Sequence, residues 1–502
     1  MPLQVTPSSL QSTPLPCTSP WLIAALRKLV TRRERLCRQR FALAFATTLV
    51  TLWGLTACAP EPKTPPHVII WMVDTLRADH LHCYGYDRDT SPTIDSLAEG
   101  GVLFENFHVH SNWTQPSVAS LLSGCYPPTF AQDFTSTVPD GLTMAAEWFR
   151  ENGYATAGMT VTMATAARYG FDQGFRVYEQ LDMREDVRNR KHREGPAFDA
   201  KRVVDAAVAW LDHRWPGDSP YFLYLHTVDP HAPYDSHEDT PSFSEPHDGP
   251  VTGSTESLAE ARRTGYAYTE EDRRHLIDLY DDEVRYNDHE LGRLMEALKE
   301  RALADNTLMV VVSDHGEEFW DRGDQGHGHD NLHGELTHVP LVMNWPAGLP
   351  SDRKVAGLMR GIDMLPTLLD LCGLPPLPDA DGSSVALAVR NGHGLKDTRS
   401  IVFADRAKES SDIRALRTPT RLYHTRRTED PQLFDLEIDS ASRVERQQPH
   451  ATESQALSKR LDAWEQLRSH RSDEWRDRAT AIPDDDTRRA LEALGYLGTN
   501  DN

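Results

Sequence analysis

Cysteine is scarce in this chain: six in 502 residues are too few to staple a protein of this length, which excludes a disulfide scaffold. Positive charge is short as well. The 53 Lys and Arg are outnumbered by 76 Asp and Glu, a net charge of −23 that leaves no extended basic face for nucleic acid. The apolar run Phe41 to Leu55 falls short of the ~20 residues a spanning helix needs. No internal repeat is present. What remains is ordinary globular composition, 39% hydrophobic and 26% charged, which excludes disorder, collagen and a polytopic membrane protein. At about 150 residues per domain the length suggests two or three, though one large α/β domain can absorb most of it.

The charge is unevenly placed. Residues 1–57 carry seven basic residues and one acid, a net +6 that leaves −29 on the rest of the chain. The basic run ends at Arg40, the uncharged stretch from Phe41 follows, and then comes Leu55-Thr56-Ala57-Cys58. Basic flank, short apolar run and small-residue cleavage site together form an export signal. The last four residues resemble the lipobox of bacterial lipoproteins. That resemblance implies a leader over 1–57, an acylated Cys58 and a membrane-anchored protein facing the periplasm or the exterior of a bacterial cell. Residues 58–66 are Pro-rich and read as a stiff spacer. Cys83, Cys125 and Cys372 then allow at most one disulfide.

After the spacer, continuous apolar runs of strand length occur at Val68–Val73, Tyr221–Leu225, Leu308–Val312 and Pro340–Met343. Continuous rather than alternating hydrophobicity suits strands covered on both faces. Ile277, Tyr280, Val284, Leu291, Leu294 and Leu298 recur at helical spacing, and Ala207 to Leu211 closes another helix. The fold class is therefore α/β, a large mostly parallel sheet flanked by helices over 67–400. Over 401–502 a small C-terminal α+β subdomain is expected, with strands at Arg417–Tyr423 and Gln432–Leu436 and a polar helix over 454–469. Residues 184–194 and 235–262 read as loops.

Three of the apolar strands end in polar side chains suited to chemistry. The first runs into Asp74-Thr75-Leu76-Arg77, the second into His226-Thr227-Val228-Asp229-Pro230-His231, and the third into Ser313-Asp314-His315-Gly316-Glu317. The C-terminal ends of parallel strands are where open α/β sheets build sites. A fourth segment, Thr114-Gln115-Pro116-Ser117 to Gly124, has Pro near its first position and Gly at its end, the punctuation of a helix. Its N-terminal dipole would favour an anionic ester. Taken alone, however, Thr114 reads first as a helix cap.

The chain from about His67 onward resembles a sulfatase of the alkaline phosphatase superfamily. The resemblance rests on Asp74 to Asp79, Tyr84-Gly85, Ser91 to Ala98, Phe104 to Asn106, Thr114 to Ser117 with Ser120 to Gly124, and Asp229 to Tyr234. It continues through Ser313 to Gly316, Gly326-His327-Gly328-His329, Val339 to Leu341 and Leu433 to Leu436, in family order. It implies the alkaline-phosphatase-like fold and hydrolysis of sulfate or phosphate esters. Four departures accompany it. Family sulfatases carry Cys or Ser, converted to formylglycine, where Thr114 stands, and Arg where Val118 stands. The usual acidic pair after the first strand is Asp74-Thr75, and the usual Asp-Asn after the later strand is Asp314-His315. Thr114 instead resembles the threonine nucleophile of the superfamily's phosphodiesterases and phosphoethanolamine transferases.

The resemblance and these departures together imply one divalent metal held by Asp74, Asp314, His315 and the oxygen of Thr114. Loss of a carboxylate and gain of an imidazole favours Zn²⁺ or Mn²⁺, with Ca²⁺ as the alternative. Thr114 would attack as a metal-activated hydroxyl. His231, His327 and His329 occupy positions where relatives stabilise the anion or the leaving group. Arg77 either contacts the ester oxygens or bridges to Asp79, and His333 and His338 read as supporting or surface residues. The expected substrate is a small anionic ester or a sulfated or phosphorylated glycan or lipid. Two other readings are a phospho-group transferase acting on envelope lipids or glycans and an inactive glycan-binding lipoprotein.

Overall fold

The computed structural model describes residues 64–127, 137–181, 200–328, 331–391, 394–395, 401–405, 413–426, 429–439, 441–442 and 451–474. They fall within one compact unit, Thr64–Asn502. The expected leader, Cys58, the 184–194 loop and His329 lie outside the described residues.

Eight strands form the main sheet: β1 (His67–Val73), β2 (Val102–Phe104), β3 (Ala155–Thr160), β4 (Val177–Gln180), β5 (Tyr221–Thr227), β6 (Thr307–Ser313), β7 (Leu341–Asn344) and β8 (Arg353–Val355). Their spatial order is β8-β2-β7-β6-β1-β5-β3-β4. The central trio β5, β1 and β6 is parallel, and every residue from Val68 to Val73 is fully buried, as continuous apolar runs require. Only β7 runs against its neighbours, β6 and β2. The chain leaves β6 at its C-terminal end, makes the loop 314–340, and re-enters without a long helical crossover to the opposite edge. The next strand must then run the other way. The α/β fold with a large, mostly parallel sheet is what forms, with this one reversal.

The helices that matter for the site are α1 (Pro92–Glu99), α2 (Thr114–Ser123), α3 (Ala200–His213) and α4 (Glu270–Glu300), and α5 (Ala451–Glu474) covers the small sheet. Residues 235–262 are mostly loop, but a short helix begins within them at Thr255. Among the described residues no helix is long and apolar enough to cross a membrane, and Cys83, Cys125 and Cys372 form no disulfide.

The small sheet consists of β9 (Ile401–Asp405), β10 (Ile413–Arg417), β11 (Arg421–Arg426) and β12 (Gln432–Asp435), all antiparallel. Sequence pattern suggested one strand across Arg417–Tyr423; the structure breaks it into a hairpin. Pro419 supplies no N–H for a ladder, and the Thr418 hydroxyl accepts the amides of Thr420 (3.3 Å) and Arg421 (2.9 Å), which closes the turn. Leu457, Leu461 and Trp464 of α5 pack on Leu416, Tyr423 and Leu433.

Helix α4 carries the expected apolar stripe, and beside it a row of buried acids that periodicity did not reveal. Asp281 takes hydrogen bonds from Tyr86 and Arg88, both at 2.7 Å, and pairs with His80 at 2.7 Å. Asp282 accepts from the hydroxyls of Ser242 and Ser244, both at 2.7 Å. Glu283 accepts from the Asp235 amide (2.8 Å) and contacts His237 (2.9 Å). Asp288 accepts the amides of Thr93 and Ile94 (2.9 and 2.8 Å), capping α1, whose own Ser91 makes no side-chain cap. The helix thus fastens the 78–90 and 235–244 loops that border the strand ends.

Asn287 adds a link to the sheet itself. It accepts from the Trp71 indole at 3.0 Å and donates to Thr227 Oγ1 at 2.7 Å and the Asp229 carbonyl at 2.9 Å, joining α4 to β1 and β5. Asn287→Leu leaves the indole N–H, a hydroxyl and a carbonyl short of a partner. It should lower unfolding stability by roughly 2–4 kcal/mol in a urea titration; a loss below about 0.5 kcal/mol would remove Asn287 as a structural tie.

Candidate active site

Parallel register assembles the site. Val73 pairs with Thr227 on one side and Ser313 on the other, and Met72 pairs with His226. Asp74 and Asp314 therefore emerge side by side at the rim. His226, level with Met72, lies on the same face as Asp74 because side chains alternate along a strand. The backbone past each strand is then fixed. The Asp74 amide donates to the Thr227 carbonyl (3.1 Å), the Leu76 amide to Ser313 Oγ (2.9 Å), and the Thr75 amide to Asp314 Oδ1 (3.3 Å). Thr75 sits at φ 59°, a left-handed conformation rare for a β-branched residue, held by the Tyr280 hydroxyl donating to its carbonyl at 2.9 Å. Gly316 lets the turn at Gly334–Thr337 pass beneath: a Cβ there would lie 2.0 Å from the Glu335 carbonyl oxygen.

Asp74, His226 and Asp314 are fully buried and each offers one ligand atom, all within 4.8 Å of one another. Burial pushes the Asp314 carboxyl up from its ordinary value, with His315 the largest opposing influence. It also holds His226 down at about 3, helped by the charge of His315. His226 Nδ1 meets the Tyr224 hydroxyl at 2.7 Å, while His226 Nε2 and Asp314 Oδ2 have no hydrogen-bond partner. Two buried carboxylates and a neutral imidazole with an open nitrogen form a donor set that a divalent cation fits.

Thr114 is the first residue of α2, not its cap. Trp113 holds the cap position and makes no side-chain cap bond, so the helix-cap reading is set aside. The Thr114 hydroxyl is instead 3.3 Å from His315 Nε2. His315 Nδ1 lies 2.9 Å from the Gly316 carbonyl; a carbonyl cannot donate, so Nδ1 carries the proton and Nε2 presents its lone pair in the neutral ring. That nitrogen is also 3.6 Å from Asp74 Oδ1 and 3.5 Å from Asp314 Oδ2. Ser117 Oγ bonds the Asp314 carbonyl, locking α2 to the end of β6.

His327 closes the site. Its ring centre is 4.4 Å from His315 and 4.9 Å from His231, and its Nδ1 lies 3.0 Å from Glu317 Oε1. His231, fully buried, is held down at about 3 by desolvation and by His327. The sequence placed Thr114, Asp74, Asp314, His315, His231 and His327 around one point, and the structure brings these six together. It gives Arg77 another task. All five of its N–H groups are engaged, by Asp79 (2.9 and 2.8 Å), Asp321 (2.8 and 3.4 Å) and the Glu317 carbonyl (3.0 Å). Arg77 is a brace with no donor left for an ester. Two residues escaped the sequence reading of the site. His226 lies inside a strand, though its segment was singled out, and Glu317 follows the Asp314-His315-Gly316 motif directly.

A buried carboxylate–imidazole cluster beside a helix-borne hydroxyl, at the C-terminal edge of a parallel sheet, is equipped for hydrolysis and has a donor set that suits a divalent cation. The family model described as Sulfatase matches residues 66–374, and the chain belongs to the sulfatase family, hydrolases of sulfuric and phosphoric ester bonds. Among curated relatives, a sulfatase of Formosa agariphila is 26% identical over 383 residues, covering 67% of this chain and 75% of that protein. The Delta 4,5-hexuronate-2-O-sulfatase of Bacteroides thetaiotaomicron is 23% identical over 429 residues, covering 78% and 86%. Among solved structures, the phosphonate monoester hydrolase of Agrobacterium radiobacter superposes with a TM-score of 0.62 at 22% identity, over 81% of this chain and 96% of that one.

The donor set makes a direct forecast for metal analysis. His226→Ala and Asp314→Asn should each weaken divalent-ion binding by at least ~100-fold, followed by calorimetric titration of the metal-stripped protein. Wild-type affinity in His226→Ala would place the ion elsewhere.

Proposed function

We propose that this sulfatase-family hydrolase cleaves sulfate or phosphate esters with Thr114 as nucleophile. The observation that carries the reading is the buried Thr114 hydroxyl, 3.3 Å from the lone-pair nitrogen of His315 and not used as a helix cap. His315 Nε2 accepts the hydroxyl proton as Oγ1 attacks sulfur or phosphorus. The bond to the substrate alcohol breaks, and that alcohol takes a proton from His327, which Glu317 orients through Nδ1. Threonine has a single oxygen, so release of the covalent ester requires water to attack the same sulfur or phosphorus; His327, left neutral by the first step, accepts the water's proton, and His315 returns its proton to Thr114 Oγ1 as the ester bond breaks. A divalent ion held by Asp74, His226 and Asp314 would lower the pKa of the hydroxyl and offset charge on the ester; two carboxylates and an imidazole favour Zn²⁺ or Mn²⁺ over Ca²⁺. In this reading His315 serves the hydroxyl and His226 takes its place as a ligand. The sugar sulfatases among the relatives support a sulfated or phosphorylated glycan as substrate class.

The basic run and Leu55-Thr56-Ala57-Cys58 support anchoring at Cys58 on the outer side of a bacterial membrane. Metabolic labelling with a fatty acid should mark the wild type and not Cys58→Ala; equal labelling of both would refute the anchor.

Turnover of paired aryl sulfate, phosphate monoester and phosphate diester substrates tests the chemistry. Thr114→Ala should lose at least ~1,000-fold in kcat on whichever ester is cleaved, and His315→Gln ~100- to 10,000-fold with its metal content kept. Full activity in Thr114→Ala removes the nucleophile assignment.

A further inference from the structure

Away from the catalytic cluster, the joint between the small sheet and the main body buries positive charge for which the described residues supply no counter-charge. Arg417 ends β10 and is only 9% exposed. Along β10, Ile413, Ala415 and Arg417 share a face; along β11, Leu422 and His424 do, with Leu422 opposite Arg417 and His424 opposite Ala415. The apolar members of that face, Ile413, Ala415 and Leu422, pack with Leu332 and Leu358 of the main body, so Arg417 and His424 are directed into the joint. Arg417 makes no side-chain hydrogen bond or ion pair among the described residues, and its Nε is buried without a partner. His424, 3% exposed, likewise has an unpartnered Nε2. His333 stands across the joint with its ring centre 5.3 Å from that of His424, tied through Nδ1 to Ser442 Oγ at 2.8 Å.

The electrostatics agree with the geometry. Desolvation alone pulls the Arg417 guanidinium down to about 10, where an arginine beside a carboxylate is pushed up. Burial holds His424 and His338 to about 4, with Arg426 adding to the effect at the first and Arg417 at the second. His333 is held to about 2 by burial, with Arg322, His424, Arg417 and Arg426 adding to it. A guanidinium buried this deeply beside no carboxylate is poorly solvated, and the donors there, Arg417 Nε and the His424 ring, suit the oxygens of a tetrahedral anion. Arg322 beside them is already committed to Glu335 at 2.8 Å and the Ser442 carbonyl at 2.7 Å.

We infer that Arg417, His424 and His333 form a second oxyanion site, for a sulfate or phosphate group, in the joint between the small sheet and the catalytic body. The inference does not depend on Thr114 being the nucleophile. The group is either a free ion or a second anionic substituent of a bound sugar.

Calorimetry and thermal unfolding of the full chain with inorganic sulfate at constant ionic strength, in the Thr114→Ala background, test it. The expected result is saturable binding with a raised Tm, weakened ~30-fold or more by Arg417→Met and also weakened by His424→Gln. Arg417→Met without sulfate should melt no lower than its parent, because it removes an uncompensated charge. A doubly sulfated and a singly sulfated disaccharide then separate the sources. If the site receives a substituent, the second sulfate tightens binding and Arg417→Met erases only that gain. If it receives a free ion, the sugars bind alike and inorganic sulfate still protects. Unchanged sulfate affinity in Arg417→Met, or no sulfate effect on the parent, overturns the inference, and neither result bears on whether Thr114→Ala abolishes turnover.

Discussion

Two carboxylates placed side by side and shut away from solvent set the terms for this fold. Asp74 and Asp314 leave adjacent parallel strands at the same level and are wholly buried. Like charges at such range repel, and burial deprives them of solvation. A cation beside them would resolve both penalties, and the surrounding structure holds the pair in place. The Thr75 and Leu76 amides, Ser313, Ser117 and the strained Thr75 backbone all serve that purpose.

Rigidity at the rim comes from further away. Helix α4 holds the loops around the strand ends through buried acids, each matched to its own donors, while Arg77 spends all its donors on Asp79, Asp321 and the Glu317 carbonyl. Polar groups are thus buried in quantity near the site. Several make no hydrogen bond, and where they gather, at His226 Nε2 with Asp314 Oδ2 and at Arg417 Nε with His424 Nε2, their chemistry suits a cation in the first place and an anion in the second. The strong net negative charge of −23 gains meaning from this arrangement, since attraction for an anionic ester must be supplied locally, by an ion and a few cationic side chains.

Much of this was legible in sequence because it depends on local pattern. Continuous apolar runs announced buried strands, and polar endings on three of them announced a shared rim; parallel register did the rest. Less legible was whatever depends on pairing across the chain. His226 lies within an apolar strand and joins the cluster at the rim only because Met72 is its neighbour. The acids of α4 sit beside its apolar stripe, and helical periodicity alone does not show that loops cover them. Arg77 and Asp321 are 244 residues apart, so no spacing rule could show that the arginine was committed. The Arg417–Tyr423 stretch forms a hairpin for a different reason: Pro419 in its middle supplies no N–H for a ladder.

The claim on which the account turns is a covalent ester on Thr114. Peptide mass spectrometry of enzyme quenched during turnover addresses it without relying on a substitution. The account predicts one added sulfuryl or phosphoryl group on the peptide carrying Thr114, appearing with substrate and lost as product forms. Turnover in which that peptide stays unmodified while the group is found on another residue would contradict it.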